Sequence, residues 1–115
     1  MSIARRLVNC NLDIADGDGY SPYIQIPNGA LNITVQFVYH DLDANISCTM
    51  QQSLDGINFD SCANSDDVPV QIDLDYTAPS MTMNVSDLLT TWIRFYVEVG
   101  DATTGILDKL YILFT

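Results

Sequence analysis

From Ala30 to His40 apolar side chains recur at every second position: Leu31, Ile33, Val35, Phe37 and Tyr39, separated by polar residues such as Asn32, Thr34 and Gln36. A strand turns successive side chains to opposite faces, so a period of two marks a β-strand with one face buried. A helix would instead need apolar positions three and four apart. The alternation returns along the chain. Ile46, Cys48 and Met50 face inward against Ser47, Thr49 and Gln51, and Met81, Met83 and Val85 alternate with Thr82 and Asn84. Val68, Val70, Ile72, Leu74 and Tyr76 form another row, with Gln71, Asp73 and Asp75 opposite. Thr91 to Val99 puts Ile93, Phe95, Val97 and Val99 on one face and Trp92, Arg94, Tyr96 and Glu98 on the other. A turn cluster from Gly100 to Gly105 leads into a last strand, Ile106 to Phe114. Ile3 to Leu12 and Tyr23 to Ile26 are weaker strand candidates, and Ser86 to Thr90 could form one helical turn with Ser86 as its N-cap. The pattern predicts an all-β fold: an antiparallel β-sandwich, Ig-like or jelly-roll-like, of about eight strands.

Charge supports the same class. Of fifteen acidic residues fourteen are Asp, with Glu98 the single Glu. Helical surfaces favour Glu, Lys and Arg, whereas Asp favours turns, where its carboxylate accepts from nearby backbone amides. A chain of 115 residues without repeats or a linker fits one domain, residues 1–115. The four bases are Arg5, Arg6, Arg94 and Lys109, against a net charge of −11. Nucleic-acid binding needs clustered cations to neutralise phosphates, and this chain cannot supply them. No apolar run reaches the length of a membrane span, and the N-terminus has no apolar leader segment, so cytosolic synthesis is expected. Three Asn-x-Ser/Thr triplets, at Asn32, Asn45 and Asn84, are then chance occurrences in an Asn- and Thr-rich chain.

Candidate chemistry is sparse. Cys10, Cys48 and Cys62 make an odd set with no metal-type spacing; Cys48 and Cys62 flank a probable hairpin and either bridge it or remain buried thiols. Asp13, Asp16 and Asp18 lie in a Gly-punctuated loop that invites a calcium reading, because hard cations take carboxylate oxygens from tight turns. The loop departs from the EF-hand pattern at Ala15 and Gly17 and lacks the bidentate Glu, so a solvated turn is the favoured reading. His40 adjoins Asp41, but no Ser or Cys sits in a nucleophile-type turn. Asp66-Asp67 and Asp73/Asp75 could pose as paired carboxylates, yet a solvated, charge-protected face explains them more simply. No cofactor fingerprint is present. The expectation is a protein that is not an enzyme and carries no cofactor.

Trp92, Arg94 and Tyr96 stand out. They share one face of a strand whose other face is apolar. If both faces are covered they belong to the core; if one is open they are an interface, since Trp, Tyr and Arg dominate binding hot spots.

Two segments together resemble a known family. Thr49-Met50-Gln51-Gln52-Ser53-Leu54-Asp55-Gly56-Ile57-Asn58-Phe59 resembles the S-x-D-G-x-N-F/W hairpin of small β-sandwich proteins of bacteriophage particles. Trp92-Ile93-Arg94, running into the Thr104-Gly105 turn and a terminal apolar strand, resembles the closing hairpin of the same proteins. The resemblance covers about the C-terminal two-thirds of the chain. It implies a virion accessory protein, made in the host cytoplasm, that decorates the capsid or joins the head or tail. Its partners would be capsid or other virion proteins and further copies of itself. The alternative is a carbohydrate- or receptor-binding sandwich of a fibre or adhesin, with Tyr20, Tyr23 and Trp92 as the aromatic platform.

Overall fold

A computed structural model describes residues 3–63 and 68–115. Asp66 and Asp67, one of the carboxylate pairs considered above, lie outside the described residues. The chain forms an antiparallel β-sandwich. Its elements are β1 (Ala4–Asp13), a single 3-10 turn (Ile14–Asp16), β2 (Gly19–Tyr20), β3 (Ile24–Gln25), β4 (Ile33–His40), β5 (Ile46–Ser53), β6 (Asp60–Ser61), β7 (Gln71–Leu74), β8 (Ser80–Val85), β9 (Trp92–Glu98) and β10 (Ile106–Phe114). One sheet runs β1-β10-β4-β8. The other is built on the β5–β9 pair, with β2 and β3 both along β9 and β6 and β7 both along β5.

The alternation read from the sequence places the core. Val35, Phe37, Leu107, Leu110 and Phe114 of the four-stranded sheet are fully buried, as are Cys48, Met50, Leu74, Ile93, Phe95 and Val97 of the six-stranded one. Phe37 and Phe95 meet across the interior edge to face, with ring centroids 5.2 Å apart, a geometry that ring quadrupoles favour. All three cysteines are free thiols. Burial pushes Cys48 up to about 12, and burial first, then Asp108, does the same for Cys10, so neither offers a thiolate near neutrality.

Three expectations fail at element ends. Leu31 does not join the buried row of β4 but is exposed, because the strand begins at Ile33 and the amides of Leu31 and Asn32 both turn to the carbonyl of Thr115. Val68 and Tyr76 are also exposed. β7 is four residues long, and a turn closed by the Ala78 amide on the Asp75 carbonyl carries Tyr76 away from the sheet. Ser86 to Thr90 makes no helical turn: Asp87 adopts φ +59°, and the Leu88 amide bonds the Leu31 carbonyl at 2.7 Å. Tying this loop to the start of β4 outweighs one isolated turn of helix, whose nucleation is unfavourable.

Candidate functional site

β9 is central in its sheet, and its two faces differ. Ile93, Phe95 and Val97 are buried in the core, while Trp92, Arg94 and Tyr96 project to the outside and remain half-buried. Of the two alternatives left by the sequence, the structure selects the open face. Directly paired residues in an antiparallel sheet share a side, so the ladder registers define what surrounds them. Gln25 lies beside Trp92, Gln51 beside Arg94, and Tyr96 sits between Tyr20 and Thr49, with Gln71 beyond.

The edge along β9 is interrupted at Pro22, which has no amide to give to a ladder. Ser21 compensates. Its amide donates to the Phe95 carbonyl at 2.9 Å, and its buried hydroxyl accepts from the Phe95 amide at 2.8 Å. This clamp holds the segment between β2 and β3 against β9 and sets Tyr20 and Tyr23 over the outer face, 49% and 60% exposed.

On the opposite side the hairpin resembling the virion proteins folds over Trp92. The Asp55 carboxylate accepts from the amides of Ile57 and Asn58, from the Asn58 side chain and from the Ser53 hydroxyl, at 2.8–2.9 Å. Gly56 has φ +75°, and a Cβ there would stand 3.1 Å from the Trp92 ring, so both backbone and packing call for glycine. The loop thereby delivers Phe59 to the same face. Sequence reasoning assigned Phe59 to the hairpin motif and not to the site; nothing in its local pattern says that the hairpin bends back across β9.

These pieces converge on Arg94. Its guanidinium carbon lies 4.0 Å from the Tyr20 ring centroid and 4.3 Å from that of Phe59, and its Nε donates to Gln51 Oε1 at 2.7 Å. Tyr23 meets the Trp92 ring edge to face at 5.5 Å and lies 6.3 Å from Phe59, while Tyr20 and Tyr96 are 5.1 Å apart. Five aromatic rings, one guanidinium and the amides of Gln25 and Gln71 thus share one side of the sheet. Such a face can stack against a ligand with an apolar body and hydrogen-bond its polar edge.

The other sequence candidates do not gather into a site. Asp13 caps the 3-10 turn through the Ala15 amide at 3.0 Å. Asp18 accepts from the Val99 amide at 2.9 Å and from the Tyr96 hydroxyl at 3.2 Å, which raises the tyrosine's pKa. These two carboxylates are engaged in holding local structure, and among the described residues no group of three His, Cys, Asp or Glu side chains is placed to hold a metal ion. Asp13, Asp16 and Asp18 are thus not drawn together into one cluster. His40, the exposed last residue of β4, pairs through Nδ1 with Asp41 at 2.9 Å.

Asp55 yields a measurable consequence. The Asn58 and Ile57 amides, followed by the Asn58 and Ser53 side chains, hold its carboxyl well below the usual carboxylate range. A depressed folded-state pKa contributes stability that is present above the unfolded value, near 4, and is lost as pH falls towards the folded one. In Asp55→Ala the acid-side loss of stability below about pH 4 is expected to be shallower than in the wild type, with the two curves parallel above about pH 5. Denaturation at a series of pH values measures this, and superimposable acid limbs would show that the loop does not depend on the ionised carboxylate.

No protein-family model and no curated protein matches the chain. Among solved structures, the dimeric latent PorU from Porphyromonas gingivalis aligns with 96% of this chain at 10% identity and a TM-score of 0.49; this chain spans 12% of that one. TmCBM61, solved in complex with β-1,4-galactotriose, aligns with 96% of this chain and 78% of its own at 13% identity and a TM-score of 0.38.

Proposed function

We propose that the protein is a non-catalytic recognition module that holds a carbohydrate against the outer face of its six-stranded sheet. The observation that carries this reading is the convergence of Tyr20, Tyr23, Phe59, Trp92 and Tyr96 on one open side, with Tyr20 and Tyr23 the most exposed of the five. Pyranose rings have apolar faces and hydroxylated edges, and such molecules suit aromatic rings flanked by amides. The rings are clamped by Ser21, Gly56 and Arg94, so little ordering entropy is lost on binding.

Tyr23→Ala tests the proposal. The side chain is 60% exposed, so stability is expected to change by no more than about 0.5 kcal/mol. Affinity for the best ligand in a panel of oligosaccharides is expected to fall about tenfold or more, read by titration calorimetry. Absence of binding to every oligosaccharide, or unchanged affinity in the variant, would refute the reading.

A second reading, docking on a virion as capsid or head–tail component with self-association, draws on a different observation. Leu54, Ile57 and Leu89 are 75%, 81% and 88% exposed, and the loops bearing them are joined where the Thr91 amide and the Thr90 hydroxyl both reach the Ser53 carbonyl. Oligosaccharide binding makes no use of such apolar tips, whereas the buried core of a protein interface is enriched in apolar area. Under this reading Leu54→Asp with Ile57→Asp abolishes co-sedimentation with particles lacking the protein and leaves oligosaccharide binding intact.

A further inference from the structure

Resting on the carbohydrate reading, we infer that the ligand is an uncharged glycan and that Arg94 is the positioning residue of the site rather than an anion-binding group. Arg94 is the sole Lys or Arg between Arg6 and Lys109. An acidic sugar laid on this face would therefore have to be met by its guanidinium. That group is partly committed: ring centroids lie 4.0 Å and 4.3 Å from its carbon, and one of its five N–H donors, on Nε, is given to Gln51. A planar guanidinium stacks on aromatic faces and donates in its own plane, which an ammonium cannot do. Arg94 thus fixes the spacing of Tyr20, from the segment before β3, and Phe59, from the hairpin on the other side of the sheet.

The charge arrangement acts at two ranges. At long range the chain carries −11, with Asp18 held against Tyr96 and Asp60 exposed beside Phe59, so a polyanion is repelled before contact. At contact range the centre of the face is a cation, so an amine-bearing sugar that the outer field attracts meets Arg94 among the rings. Each sign of ligand charge is opposed at one of the two distances. An uncharged sugar is opposed at neither, and it can use the ring faces together with Gln25, Thr49 and Gln71.

The test titrates the whole chain with neutral hexose oligosaccharides, uronate oligomers and glucosamine oligomers of equal length, each at low and high ionic strength. Neutral oligosaccharides are expected to bind with affinities that change less than about twofold with salt, since screening acts on charges. Uronates are expected not to bind, and glucosamine oligomers to bind at low salt alone. Uronate binding equal to that of neutral sugars, or glucosamine binding that survives high salt, overturns the inference while leaving the carbohydrate reading in place; no binding by any glycan removes both. Arg94→Met and Arg94→Lys supply the second measurement. Both are expected to lose about tenfold or more in affinity for the neutral ligand and to alter the near-ultraviolet circular dichroism of the Tyr and Trp rings. A folded variant with unchanged affinity and unchanged aromatic dichroism excludes the positioning role.

Discussion

Phe95→Ala is expected to remove about 3–5 kcal/mol of stability, the largest effect of any change considered for this molecule. Phe95 is fully buried on the central strand of its sheet and packs against Phe37, its counterpart on β4 of the facing sheet. Truncation forfeits the transfer free energy of the ring and leaves a cavity that two clamped sheets cannot collapse to fill. For a domain whose total stability is of order 5–15 kcal/mol, this is a large fraction. The thermal midpoint should fall by about 10–20 °C. Urea denaturation monitored by Trp92 fluorescence measures the change, and a loss below about 1 kcal/mol would mean that the inner row of β9 is not core.

Gly105→Ala is expected to cost about 3 kcal/mol, far more than a methyl group on a loop usually does. Gly105 has φ +125°, and a Cβ there would stand 2.9 Å from Leu42 Cα and 3.0 Å from its amide nitrogen. Backbone atoms cannot yield as a side-chain end can, so the turn before β10 must move. That turn is also tied to the 3-10 turn that follows β1, through the Ile14 amide, which donates to the Gly105 carbonyl at 2.9 Å. Gly100 in the same connection is the control. Its φ is +53° with nothing near the added carbon, so Gly100→Ala should cost about 1–2 kcal/mol from backbone conformation alone. Comparable losses at the two positions in parallel denaturation curves would rule out the contact with Leu42 as the cause.

The Thr-Gly turn and the Asp-Gly hairpin therefore do different physical work, although both are legible as turn chemistry. At Gly105 the glycine makes room for a neighbouring backbone within the fold. At Gly56 it makes room for Trp92, and the ionised Asp55 carboxylate holds the hairpin in the shape that brings Phe59 across the sheet.

By itself the sequence determined which side of four of the longer strands faces inward. Period-two alternation in β4, β5, β8 and β9 assigns Val35, Phe37, Met50, Phe95 and Val97 to the interior, and it sets Trp92, Arg94 and Tyr96 together on the reverse of β9, because side-chain direction in a strand depends on position alone. It also marked Tyr20, Tyr23 and Trp92 as the aromatics of a sugar-binding alternative. The two-residue strands β2 and β6 are too short to show a period, and Leu31, Val68 and Tyr76 mislead because alternation in a sequence runs past the point where ladder partners stop. Only the tertiary structure decided that the reverse of β9 is open and which residues join it. Tyr20 and Phe59 lie 39 positions apart in the chain, and Arg94 a further 35. They meet because two separate edges of one sheet bring their loops over the same central strand, a long-range pairing that local periodicity does not encode.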